Sequence, residues 1–401
     1  MLTNLKRDLM NEAVIVSATR TAVGKLGGAL KSFTAPQLGT KVISEAVQRS
    51  KLEPVDIQEC IMGIVLSAGT GQNPARQAAL NAGLPVEIGS LNVNKICGSG
   101  LKSVMLAANS IRVGEHEAIV AGGMENMSSA PYLLMDGRFG YRLGDNKIID
   151  HLVHDGLWDA PTDAHMGMTA EIVAERFNVT REQADELSFQ SHVKSNNATK
   201  NGYFSKEIVP ITVKSKKTEF EFKEDEGIRP DISMEALSKL KPAFKKDGIV
   251  TAGNSSQISD GAAALVITSR KYAEEKSLNI LASIRDYNTG GTKPEWIMEA
   301  PISTTQTLLK RNNMTIDDID LFEHNEAFAT ASVAVKKTLE VPDDKFNVNG
   351  GAVAIGHPIG CSGARVLVSL IYELQRAQKH RGLLTLCLGG GNAVSMIIER
   401  E

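Results

Sequence analysis

The sequence predicts an α/β protein made of two similar halves with a different segment inserted between them. Two observations carry this. Strand-like and helix-like stretches alternate through the first part of the chain, as in a sheet layered with helices. A second series of the same kind follows near the end, in the same order.

In the first series, NEAVIVSA from Asn11 is a compact β-branched run and reads as a strand. PQLGTKVISEAVQRS over 36–50 has helical spacing, with Pro36 near its start. IQECIMGIVL over 57–66 reads as a buried strand. LKSVMLAANSIRVG reads as a helix ending at Gly114, and EAIVAGGMENMS as a strand running into glycines. The repeat is visible when NVNKICGSG, from Asn92, is set beside NVNGGAVAIGHPIGCSG, from Asn347. Each passes through a glycine-rich loop to Ser-Gly, then a helix, then a short strand ending in glycines: AIVAGGM in one, LLTLCLGGG in the other.

We therefore divide the chain into a first half (1–127 with 259–281), an insertion (128–258) and a second half (282–401). The insertion is richer in charge and loop residues. DGRFGYRLGDNKIID is a turn-rich excursion. The stretch after Thr180 is a helix with that residue as N-cap and Gly202 at its end. VPITVKSKKTEFEF reads as a solvated hairpin, and its Lys214, Lys216 and Lys217 as a solvated face that adds a weak field for phosphates.

The length of 401 residues suggests two or three domain-sized units. A net charge of −3 argues against general nucleic-acid binding. No apolar run is long enough to span a membrane. Residues 1–11 read as an extension ahead of the first strand, without the apolar core of a secretion signal. Cys60, Cys97, Cys361 and Cys387 lie far apart, so neither a zinc site nor a disulfide framework is expected, and the location expected is cytoplasmic. His116, His151, His154, His192 and His380 lack ligand spacing and are expected to be solvated or structural; no metal is expected.

Cys97 sits among glycines at a helix start. By itself it reads either as a small buried side chain or as a nucleophile activated by helix-end N–H groups. The repeat adds more. If the halves face each other, the loop of Cys97 meets the loop of His357, and Cys387 stands at the end of the last glycine-run strand. A thiol, an imidazole and a second thiol in one pocket suit acyl transfer through a thioester, with glycine N–H groups holding an oxyanion.

The stretches NKICGSG, GGMENMS, HMGMTAE, TAGNSSQISDGAAA, HNEAFA, GGAVAIGHPIGCSGAR and LCLGGG, in this order, resemble the thiolase family almost end to end. The resemblance implies a five-layered αβαβα fold of two similar halves. It also implies that Cys97 takes an acyl group from acyl-CoA. His357 would activate it and line an oxyanion hole with a water held by Asn325. Cys387 would move a proton at the α-carbon of a second acyl-CoA. The N–H groups of Cys97 and Gly389 would form a second hole. Coenzyme A contacts would come from His165, Met166, Arg229, Phe244, Ala252 and Ser256, with Phe328 in a tight acyl pocket. Coenzyme A and acyl-CoA would be substrates, with no cofactor.

The 132–160 stretch and the set Met166, Phe244 and Phe328 resemble the short-chain, tetrameric group. They imply an acetyl-CoA C-acetyltransferase and a homotetramer. A degradative 3-ketoacyl-CoA thiolase is the alternative; a non-catalytic CoA or lipid carrier is the reading from another class. A ketoacyl carrier-protein synthase is disfavoured by Cys387, since those enzymes carry histidine or asparagine there. Asn392-Ala393 replaces the family's usual Met-Gly and is expected to shift the proton-transfer geometry. His324, in place of an apolar residue, is expected to be a satisfied core histidine; Cys60 and Cys361 are expected to be packing residues.

Overall fold

The computed structural model describes residues 11–214 and 219–401. Residues 1–10 of the expected extension, and the hairpin tip with Lys216 and Lys217, lie outside the described residues.

The first half contains β1 (Ala13–Thr21), α1 (Ala35–Ser50), β2 (Glu59–Gly63), α2 (Pro74–Asn81), β3 (Gly89–Val93), α3 (Ser99–Val113) and β4 (Ala118–Asn126). The insertion carries α4 (Met166–Arg176), α5 (Arg181–Lys200) and the hairpin of β5 (Ile211–Lys214) with β6 (Glu219–Phe222). The chain then returns to the first half with β7 (Ser259–Ser269). The second half contains β8 (Ala282–Gly291), α6 (Ala300–Arg311), β9 (Leu321–His324), α7 (Ala329–Thr338), α8 (Ile359–Arg376), β10 (Arg381–Leu388) and β11 (Asn392–Arg400).

Local chemistry sets many of these ends. Thr34 caps α1, and Thr180 caps α5, each with a glutamine three residues on that reaches back to the cap. Gly114 adopts φ +75° and closes α3 where the sequence places its end. The strand expected over 57–66 is shorter. It stops at Gly63, because the N–H groups of Val65 and Leu66 turn to the Glu125 carboxylate instead of a neighbouring strand.

The strands of the two halves follow one path, β9-β10-β11-β8-β1-β7-β4-β2-β3. The duplication is legible in it. β1, β2, β4 and β7 of the first half correspond to β8, β9, β10 and β11 of the second. In each half the first strand is antiparallel to the last, and the last is antiparallel to the strand before it. The halves join edge to edge by a short β1–β8 pairing, Val14 opposite Ser283 and Ile15 opposite Ala282.

Side-chain alternation builds the layers. Ile15, Ile119 and Ile267 of the first half and Leu384, Met396 and Ile398 of the second face a shared core with α3 and α8 between them. Val14, Val120 and Val266 point the other way, to α1 and α2. Phe322, Leu383 and Ile397 likewise meet α6 and α7. The order is helix, sheet, helix, sheet, helix, with α3 and α8 at the centre. The central contact is close. A Cβ on Gly123 would fall 2.1 Å from the Gly360 carbonyl oxygen, so β4 and the start of α8 need glycine there. Cys361 packs in this central core and Cys60 in the outer one, as expected of packing residues.

Candidate active site

The central helices α3 and α8 both begin at one end of the molecule, and the loops that precede them carry Cys97 and His357. The Cys97 turn is tightly held. Lys95 N–H donates to Ser99 Oγ (2.8 Å), and Ser99 Oγ donates to the Ile96 carbonyl (2.6 Å). Ile96 takes φ +49°, a conformation costly for a β-branched residue, and its N–H is met by Asn94 Oδ1 at 3.1 Å. The strain turns the Cys97 thiol, partly exposed, toward a cavity. Burial and the neighbouring Cys387 raise its pKa. The N–H groups of Cys97 and Gly389 act in the opposite direction by hydrogen-bonding to the thiolate form.

His357 is buried and held from behind. Its N–H donates to the Gln257 carbonyl at 3.0 Å. Its Nδ1 lies 2.5 Å from Ser362 Oγ, and Ser362 donates its own proton to the Pro358 carbonyl at 2.8 Å. A hydroxyl has one proton, so Ser362 must accept from Nδ1–H. The neutral ring therefore carries its proton on Nδ1 and presents Nε2 as a base. Burial and the Arg365 cation push its pKa down to about 3, which keeps it neutral. Asn325 is fully buried against the ring, its Nδ2 3.4 Å from Nδ1 and 3.5 Å from Nε2.

Cys387 lies near the end of β10, buried, with Sγ 3.6 Å from Met298 Sδ. Burial pushes its thiol up to about 12. The strand then turns through Gly390 and Gly391, at φ +79° and +82°, into β11. The Asn392-Ala393 departure leaves this hairpin in register, with Cys387 opposite Ala393 and Leu388 opposite Asn392.

Cys97, His357, Cys387 and Gly389 line one cavity of about 290 Å³, with largely apolar walls. Of the expected coenzyme A contacts, His165, Met166, Phe244, Ser256 and Phe328 also line it. His165 stacks on Phe244, centroids 4.7 Å apart, and Phe244 meets Phe328 edge-on at 6.2 Å. Arg229 and Ala252 are exposed and do not line the cavity. His324 is buried outside the lining, its Nδ1 2.7 Å from Ser332 Oγ. Lys214 is on the surface, paired with Glu219 at 3.2 Å. Among the scattered histidines, His192 Nδ1 accepts the Arg229 N–H at 3.1 Å and His116 Nδ1 lies 2.8 Å from Ser110 Oγ.

Known proteins resemble this chain along nearly all of its length. The family model for the thiolase N-terminal domain matches residues 13–271, and that for the thiolase C-terminal domain matches residues 278–400. The chain belongs to the thiolase family. It is 50% identical over 392 residues to an acetyl-CoA acetyltransferase of Escherichia coli, covering 98% of this chain and 100% of that one. It is 48% identical over 393 residues to one from Cupriavidus necator, with coverage of 98% and 100%. A crystal structure of the Bacillus anthracis acetyl-CoA acetyltransferase superposes with a TM-score of 0.96 at 43% identity, covering 98% of this chain and 99% of that one. The protein has the thiolase fold and is an acyltransferase. Among its described residues, no helix is long and apolar enough to cross a membrane.

In this thiolase, further residues line the cavity or hold the loops around it. Glu125, in GGMENMS, accepts from the N–H groups of Val65 (3.1 Å), Leu66 (3.1 Å) and Gly360 (2.8 Å), and so ties the His357 loop to β4. Burial raises its pKa to about 7. Asp159 accepts from the Gly390 N–H at 2.9 Å. Ile297 and Met298 wall the cavity from a turn of 3-10 helix. Glu125, Ser362 and Asp159 stand inside stretches that carry the resemblance, so their position was a signal. Nothing in sequence marked Met298, which reaches the cavity only through folding.

Proposed function

We propose that this enzyme is an acetyl-CoA C-acetyltransferase that joins two acetyl-CoA into acetoacetyl-CoA and coenzyme A, reversibly. The observation that carries the reading is the convergence of Cys97, His357 and Cys387 on one apolar cavity. Its relatives among the acetyl-CoA acetyltransferases support the substrate.

His357 Nε2 takes the Cys97 proton as sulfur attacks the thioester carbonyl. The N–H groups of Cys97 and Gly389 hold the oxyanion. The tetrahedral adduct expels coenzyme A as its thiolate, which takes the proton of Cys387. Acetyl-Cys97, imidazolium and the Cys387 thiolate remain. A thiolate whose pKa burial has raised is a strong base, and it removes the α-proton of a second acetyl-CoA. The imidazolium Nε2–H, with a water on Asn325, holds the enolate oxygen. The enolate carbon attacks the acetyl group, and the expelled Cys97 thiolate recovers its proton from His357. Every proton returns and no electron is transferred to or from a carrier, so the scheme draws on no cofactor. Coenzyme A would lie along His165, Met166, Phe244 and Ser256, with Arg229 and Ala252 farther out toward solvent.

We further propose a cytoplasmic homotetramer. Phe139 and Leu143 are largely exposed in the inserted 132–148 stretch, which supports contacts there with another copy.

The test compares thiolysis of acetoacetyl-CoA and of a long-chain 3-ketoacyl-CoA, with Cys97→Ala as control. Preference for acetoacetyl-CoA, lost in the variant, is expected. Preference for the long chain would make the enzyme a degradative thiolase. Binding of coenzyme A without acetylation of Cys97 would make it a carrier.

A further inference from the structure

The two N–H groups that act on Cys97 come from opposite halves of the chain. One belongs to Cys97, in the turn before α3; the other belongs to Gly389, in the glycine turn between β10 and β11. An oxyanion hole works only if such donors keep a fixed separation, because a few tenths of an ångström decides the hydrogen bond. Gly389 is followed by two glycines at positive φ, a run with little stiffness of its own. Its position therefore depends on what ties it down.

Within the turn, the Gly391 carbonyl accepts from the Thr292 N–H at 2.7 Å, and Asp159, from the insertion, accepts the Gly390 N–H. A further tie joins this turn to that of Cys97 directly: Lys95 Nζ donates to Asn392 Oδ1 at 3.2 Å. Lys95 stands two residues before Cys97, and Asn392 three residues after Gly389. We propose that Lys95 and Asn392 are a positioning pair that sets the separation of the Cys97 and Gly389 donors. Asn392 is also one of the residues at which this chain departs from the usual thiolase pattern. The methionine usual there has no oxygen to accept from an ammonium, so the tie belongs to this sequence. Partial burial also lowers the Lys95 pKa, which marks an ammonium partly withdrawn from water and thus dependent on its acceptor.

The inference rests on the acetylation of Cys97 proposed above. The experiment measures the pre-steady-state burst of coenzyme A release from acetyl-CoA. It uses the full-length enzyme, Lys95→Met, Asn392→Met, the double variant and Asn392→Asp. Each single methionine variant should slow the burst about 3- to 10-fold, the range of one ordinary hydrogen bond that stays partly open to water. The double variant should be no slower than the singles, since both break the same tie. Asn392→Asp keeps an acceptor oxygen and should retain the wild-type rate. The half-saturating acetyl-CoA concentration and Tm should not move. Unchanged burst rates, additive losses, or losses that appear only in saturation or Tm would overturn the pair. A wild-type enzyme with no burst would overturn the acyl-enzyme reading itself.

Discussion

The Cys387 thiol ends against Met298, with the two sulfur atoms 3.6 Å apart. Met298 arrives from the Pro294–Glu299 turn, far from Cys387 in sequence, and walls the cavity beside this thiol, so its side chain limits the space left for an acyl group there. Met298→Ala is therefore expected to raise the ratio of thiolysis rates, six-carbon 3-ketoacyl-CoA over acetoacetyl-CoA, by about tenfold. Met298→Leu keeps the volume and should leave the ratio alone. An unchanged ratio in the alanine variant would place the chain-length limit elsewhere.

Ser362 holds the tautomer of His357. Ser362→Ala would leave the buried Nδ1–H without its acceptor and free the ring to present the wrong nitrogen. A fall of about 10- to 100-fold in the acetylation rate of Cys97 is expected, from about 1–3 kcal/mol for an unmade buried hydrogen bond. Stopped-flow acetylation, beside thermal melts to confirm folding, checks this. A near-wild-type rate would mean that the tautomer is set by another group.

Acid should destabilise the fold through its buried histidines. Burial holds His357 and His324 near 3, against an ordinary value of 6.5. Between those limits the unfolded chain binds the protons and the folded one does not, so the stability these histidines contribute is full above 6.5 and declines as pH falls. Glu125 acts in the opposite sense: raised to about 7, it gains its proton first in the folded state. Comparing wild type with His357→Asn cancels that contribution. Urea midpoints between about pH 7 and about pH 5 should fall less in the variant. Parallel curves would show that His357 does not titrate with unfolding.

Glu125 accepts from three N–H groups, two in the turn after β2 and one at the start of α8, through both oxygens of its carboxyl group. Glu125→Gln keeps one acceptor oxygen and adds an NH₂ group facing donors. A loss of about 2–4 kcal/mol is expected from denaturant unfolding, since at least one buried donor is left unmet and another faces a donor. Acetylation should slow as well, because Gly360 sits three residues after His357. A variant as stable as wild type would mean that water replaces the carboxylate.

Much of this protein was legible in its sequence. The duplicated halves could be read from the two Asn-Val-Asn loops, since each is a local pattern of glycines, a helix and a strand. Cys97, His357 and Cys387 were candidates because each stands at a fixed place in that repeat. Local propensity and capping also gave the ends of α3 and α5, where Gly114 and Thr180 need no distant partner. The tertiary structure alone decided the rest. That β2 stops at Gly63 depends on Glu125, about sixty residues away. That Lys95 meets Asn392, or Met298 meets Cys387, depends on two halves closing on each other. Such contacts join residues far apart in the chain, and no local periodicity records them. Sequence carries the chemistry of each loop; the packing of α3 against α8 decides which loops share a cavity.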